Sequence, residues 1–193
     1  MGNRFCPERF DRFNLIYLGG VFVLLIASAW LPIKYWSFER EMARNVTQLT
    51  GVAGVSFHCN SAFDSIFDND LGVAGHANPY TKKVVFQVGW CDALMRYIED
   101  PMGANQEAKF SMHMFTHEAM HIRGEMVEQR TDCQALQRDV EAAVILGVPQ
   151  HIAKDHTEEF YTTVYPKHPY YTNLCAPGKA LDEYLIHPPW GES

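Results

Sequence analysis

The most pronounced pattern along the chain is an unbroken apolar run. Leu15 to Ile33 (LIYLGGVFVLLIASAWLPI) contains no charged residue. As a helix it would be apolar on every face and about 28 Å long, close to the hydrocarbon thickness of a bilayer. The pattern predicts a transmembrane anchor over residues 15–33, behind a short flank at 1–14. Ala27-Ser28-Ala29 has the small-residue spacing of a signal cleavage site, so secretion after cutting near Ala29 is the alternative. Trp30-Leu31-Pro32-Ile33 carries the apolar run past that site, which favours the uncleaved anchor. Arg4, Arg9 and Arg12 precede the run, and Lys34, Arg40 and Arg44 follow it, so flanking charge does not set its orientation.

After the run the pattern becomes that of a globular domain, expected over residues 51–193 behind a helical stalk at 34–50. Val52 to Cys59 has strand character, with Val55 and Phe57 alternating. Asn60 to Asp70 is rich in Asn, Asp and Ser and reads as loop. Leu71 to His76 and Lys82 to Val88 read as two strands joined through the turn-like Asn78-Pro79-Tyr80-Thr81. A short helix is expected over about Asp92 to Glu99, ending near Pro101. A longer one begins near Asn105, where Ala108, Met112, Phe115, Ala119 and Ile122 recur at spacings of 4, 3, 4 and 3. Gly124 is placed to end or kink it. Two more helices are expected, from about Met126 to Leu146 and from about Pro149 to Val164. The fold class that follows is α+β: an N-terminal transmembrane helix, then a small domain with a short β-sheet and about three main α-helices.

Composition narrows the class of function. The 193 residues are 47% apolar and 20% charged, which argues for a folded chain. A formal net charge of -7, with no block of Lys or Arg, makes a nucleic-acid partner a poor expectation. Cys6 precedes the apolar run, and Cys59, Cys91, Cys133 and Cys175 follow it. Four cysteines on one side suit two disulfides in an oxidising compartment, with four buried thiols as the alternative. They allow three pairings, of which Cys59–Cys91 and Cys133–Cys175 is the one expected here.

The candidate chemistry lies in the helix that begins near Asn105, which spells H-E-A-M-H over residues 117–121. In a helix His117 and His121 lie one turn apart on one face, so one metal ion can bind both imidazoles. Glu118 projects from an adjacent angle, close enough to reach a metal-bound water as general base. A catalytic zinc site needs a third protein ligand and one open position. Glu125, Glu128 and Asp132 are the candidates, and Glu128 and Asp132 are four apart on the next helix. One can ligate while the other hydrogen-bonds a ligand histidine. His113 extends the stripe by another turn and is read as a polar neighbour, with a ligand role only in reserve. Cys133 points about 100° away from Asp132 around the helix and is read as a staple.

HExxH followed by ExxxD on the next helix resembles the gluzincin metallopeptidases, the thermolysin-like clan of zincins and its small relatives. The resemblance covers about residues 105–146. It implies that His117, His121 and Glu128 are zinc ligands, that Glu118 is the base, and that Asp132 is the partner of His117. It also implies a strand that pairs with extended substrate above the motif helix, a role available to Val84–Val88, and a Tyr or His beyond the motif as oxyanion donor. Tyr161, Tyr165, Tyr170 and Tyr171, and the histidines 58, 76, 151, 156, 168 and 187, are open candidates for that donor. The chain departs from the pattern in one respect: Glu128 follows His121 by seven positions, far fewer than in thermolysin-like enzymes. Gly124 also matches the metzincin pattern HExxHxxGxxH, but Val127 stands where its third histidine would be.

The function expected from these residues is a zinc-dependent peptidase outside the cytoplasm, held to the membrane by its N-terminal helix and acting on a peptide or protein substrate. The alternatives are a non-catalytic, zinc-stabilised tethered binding module and a metal-free interaction domain.

Overall fold

The computed structural model describes residues 12–61, 64 and 74–190. Cys6, Arg4, Arg9, most of the loop expected at 60–70 and the start of the strand expected at Leu71 lie outside the described residues. The described chain divides into two compact units, one ending at Phe38 and the other beginning at Glu39.

Helix α1 runs from Arg12 to Thr50 without a break, and contains Pro32. The apolar run and the expected stalk are therefore one helix. It is long and apolar enough to cross a membrane, and the apolar stretch is not buried within the chain. Its final turns belong to the globular unit. There Met42 and Val46 are buried, and Glu39 accepts a hydrogen bond from the Cys59 amide (2.8 Å) and lies 3.0 Å from His58 Nδ1.

The sheet has three strands: β1 Ser56–Cys59, β2 Gly75–Asn78 and β3 Lys83–Phe86, in the order β1-β3-β2. β1 and β3 are parallel, and β2 and β3 antiparallel. Asn78 Oδ1 accepts from the amides of Tyr80 and Thr81 (both 3.0 Å) and closes the hairpin. Gly75 is required where it stands. A Cβ there would lie 2.7 Å from the Val85 carbonyl oxygen and 2.9 Å from the Phe86 ring. The strand expected to receive substrate, Val84–Val88, contributes the central strand. Both of its edges are hydrogen-bonded within the protein, so the pairing proposed for it has no room.

Five α-helices follow: α2 Trp90–Glu99, α3 Gln106–Arg123, α4 Glu128–Leu136, α5 Asp139–Ile145 and α6 Gln150–Glu159. The fold is α+β with six α-helices among the described residues, one more than the N-terminal helix, the short helix and the three main helices expected. The excess arises mainly because residues 126–146 are not one helix. The chain breaks at Gln137–Arg138, where Arg138 has φ -113° and ψ 0°. Tertiary bonds hold the break. Gln137 donates to the Leu181 carbonyl (2.8 Å) and accepts from the Glu183 amide (2.8 Å), while Arg138 pairs with Glu183. The last expected helix does continue to Val164, but its final turn, Phe160–Val164, is a π-turn.

Helix α3 is the centre of the molecule. Asn105 caps its first turn by accepting from the Ala108 amide (2.9 Å). Gly124, at φ 112°, ends it in the left-handed conformation that glycine adopts without strain. Phe115 packs toward the sheet core around Phe57 and Phe86, and Ala119 is fully buried. Every residue from Ser111 to Ile122 is buried, so the motif is not on a solvated helix face.

Both expected disulfides are present, Cys59–Cys91 and Cys133–Cys175. The first joins β1 to α2. The second holds the C-terminal segment against α4, one residue from Asp132.

Candidate metal centre

Helix α3 supplies His113, His117 and His121 at successive turns, all buried, at 2%, 2% and 9% exposure. Burying three imidazoles is costly unless each ring nitrogen finds a partner. His121 Nδ1 lies 2.8 Å from the Glu125 carbonyl oxygen, which can only accept, so Nδ1 carries the hydrogen. His117 Nδ1 lies 3.3 Å from Asp132 Oδ1. Burial opposes the Asp132 charge, but the charge of His113 and hydrogen bonds from the surrounding histidines outweigh it and hold the carboxyl far below the usual range. Asp132 is thus an acceptor, and His117 donates to it through Nδ1.

With hydrogen on Nδ1, each ring can turn Nε2 to a metal, and the two Nε2 atoms converge. His117 Nε2 and His121 Nε2 are 3.2 Å apart. Glu128 Oε2, from the first turn of α4, lies 3.2 Å from the former and 3.6 Å from the latter. Two imidazole nitrogens and a carboxylate oxygen at this spacing can share either a proton or a metal ion. Ligands about 2.0–2.1 Å from a tetrahedral zinc ion stand about 3.3 Å from each other. The observed triangle fits that size, and its two nitrogens and one carboxylate oxygen are a donor set that zinc accepts.

A second group overlaps the first. His113, His117 and Asp132 also bring ligand atoms within 4.8 Å of one another, so the described residues contain two groupings able to hold a metal ion. In the second grouping the donors are already committed. His113 donates through Nε2 to Asp132 Oδ1 (3.0 Å) and through Nδ1 to Asp139 Oδ2 (2.8 Å), leaving no lone pair for a metal. His113, read from the sequence as a polar neighbour, is therefore the buried centre of an Asp–His–Asp array. Burial lowers its pKa, but the charges of Asp139 and Asp132 and their hydrogen bonds prevail and raise it to about 10.

The remaining candidates separate clearly. Glu125 turns its carboxylate to the amides of Met126 and Val127 (both 2.9 Å) and to Arg130 (3.2 Å), while Asp132 stands behind His117. Of the three acidic candidates, only Glu128 joins the triangle formed with both Nε2 atoms. Glu118 is 3% exposed, and its Oε2 has no hydrogen-bond partner. Burial, and then the charge of Glu128, push its pKa up to about 8.

The C-terminal segment brings two residues that the sequence left undistinguished. Tyr170 stacks on His117, with ring centroids 5.8 Å apart and planes 20° apart. Burial, and then the charges of Glu128, Asp132 and Glu118, raise its pKa, so its hydroxyl keeps its proton at neutral pH. His168 Nδ1 lies 3.2 Å from Asp132 Oδ2 as an ion-pair contact, without hydrogen-bond alignment. The Tyr165 hydroxyl binds the Thr172 amide (3.2 Å), and the Cys175 disulfide holds the segment on α4. Tyr161, Tyr165 and Tyr171 pack among themselves and against Trp190. The signal that could have singled out the segment is its place just before Cys175, whose partner Cys133 adjoins Asp132.

No protein family, curated protein or solved structure matches the chain.

Proposed function

We propose that the chain is a zinc-dependent peptidase that works outside the cytoplasm, tethered by its N-terminal helix. The observation that carries this reading is the triangle of His117 Nε2, His121 Nε2 and Glu128 Oε2, with edges of 3.2, 3.2 and 3.6 Å, beside the buried and half-unpartnered carboxylate of Glu118. A zinc ion held by these three atoms would lower the pKa of a coordinated water towards about 7 and so supply hydroxide at neutral pH. The charge of a zinc ion at the triangle would offset the burial that raises the Glu118 pKa and ionise its carboxyl. Glu118 would then take the proton of the attacking water and return it to the leaving amine. Tyr170, against His117 and protonated, donates to the oxygen on which negative charge develops.

Two observations support an open fourth position over a closed structural site. Glu125 and Asp132 each direct one carboxylate oxygen elsewhere, Glu125 to backbone amides and Arg130 and Asp132 to His113 and His117, and neither joins the triangle. Glu128 is half-exposed, so the triangle has a side towards solvent. Two disulfides support an oxidising compartment. With β3 enclosed, the sheet edge that packs on α3 is β2, Gly75–Asn78, and extended substrate is assigned to that edge.

The test is incubation of the zinc-loaded full chain, in mild detergent, with a mixed peptide library read by mass spectrometry. The reading expects cleavage products that the Glu118→Gln variant does not form. Equal cleavage by that variant, or no cleavage by a folded, zinc-bound wild type, overturns it and leaves a zinc-stabilised binding module.

A further inference from the structure

We propose that His113 and Asp139 are positioning residues of the metal centre, a buried cation and its outer carboxylate that fix Asp132 against His117 and so aim His117 Nε2 at the metal. This rests on the zinc reading above.

The geometry is a single chain of hydrogen bonds. Asp139 Oδ2 accepts from His113 Nδ1 at 2.8 Å, and Asp132 Oδ1 accepts from His113 Nε2 at 3.0 Å and from His117 Nδ1 at 3.3 Å. Ionised carboxylates only accept, so a ring bonded to one at each nitrogen carries both hydrogens and a positive charge. That charge has further support from the face of Phe160, stacked at 4.2 Å and 28°. Asp132 is fully buried. Asp132 Oδ1 is held by two imidazoles, and without the His113 donor the side chain loses the shorter of these bonds and can turn away from His117 Nδ1. His113 is what keeps Asp132 in place.

The fold is arranged to make this contact. In one straight helix Asp132 and Asp139 would sit about 10 Å apart along the axis. The break at Gln137–Arg138 brings both carboxylates onto one imidazole. The break is itself held by the C-terminal segment through Gln137 and Arg138. A core histidine that merely filled space would not need an acidic partner from each of two helices.

The experiment is a zinc competition titration against a chromophoric chelator, on the full chain in detergent. The proteins are wild type, His113→Asn, Asp139→Asn, Asp132→Asn, and the two double variants that combine Asp132→Asn with each of the others. Each single change is expected to weaken zinc binding about 10- to 100-fold, as loss of an outer partner of a metal-bound histidine does. It should also shift the visible absorption of the cobalt-loaded protein. In the Asp132→Asn background the other two changes should add nothing, because they act through Asp132. Folded His113→Asn and Asp139→Asn proteins that bind zinc with wild-type affinity overturn the proposal, as does an undiminished effect in the Asp132→Asn background. If His113→Asn does not fold, Asp139→Asn, which preserves side-chain shape, decides alone. A wild type that binds no zinc removes the metal reading and this proposal together. A wild type that binds zinc no better than the variants removes only this proposal.

Discussion

His117 Nε2 and His121 Nε2 lie 3.2 Å apart, while the other nitrogen of each ring faces an acceptor, Asp132 Oδ1 and the Glu125 carbonyl. A zinc ion bound between these nitrogens and the Glu128 carboxylate would couple metal binding to folding stability. With free zinc at one hundred times its dissociation constant, the gain is about 2.7 kcal/mol. A thermal unfolding scan should show the melting temperature fall by about 5–10 °C on adding a chelator. A melting temperature unmoved by chelator would mean the triangle holds no metal.

Tyr170 should matter to turnover more than to binding. Tyr170→Phe keeps the ring stacked on His117 but removes the donor. The expected result is a fall in kcat of about 100-fold, with KM and zinc content little changed. Steady-state kinetics on a cleaved library peptide checks this. An unchanged kcat would return Tyr170 to a packing role.

The Cys133–Cys175 disulfide closes a loop with a sequence separation of 42. Replacing both cysteines by Ala should cost about 3–4 kcal/mol of stability, measured by urea unfolding. It should also release the segment bearing His168 and Tyr170, so activity should drop while zinc stays bound. Full activity in a folded double variant would show that the segment holds its place without the bond.

The charged His113 gives the metal-free protein an alkaline limit. Its pKa is about 10 in the folded state, against about 6.5 for an unperturbed histidine. A raised folded value contributes stability that is complete below about pH 6.5 and is lost as pH climbs through about 10. Between those limits the unfolding free energy should fall by up to about 1.4 kcal/mol per pH unit. Urea unfolding at pH 7, 8 and 9 should show this slope in wild type and a shallower one in His113→Asn. A wild-type stability flat over that range contradicts a buried imidazolium.

Local signals of this kind were legible in the sequence and tertiary ones were not. Asn105 and Gly124 mark the ends of the motif helix by capping chemistry alone, and the expected pairing of Cys59–Cys91 and Cys133–Cys175 is the one observed. The break at 137–138 has no Gly or Pro to announce it, because Gln137 and Arg138 are held by the distant residues Leu181 and Glu183. In the sequence His113 is only a further histidine on the stripe, a polar neighbour of His117. Its part as a cation needs Asp139, which only the broken helix delivers. Val84–Val88 reads as a strong strand, but no pattern within it tells that β1 and β2 enclose it.

The central claim is that His117, His121 and Glu128 hold one zinc ion. The most direct test is metal content by mass spectrometry on the purified full chain, beside the His121→Ala variant. The account predicts one zinc per chain in wild type and none in the variant. Folded proteins that both lack metal, or that both keep it, would contradict the account.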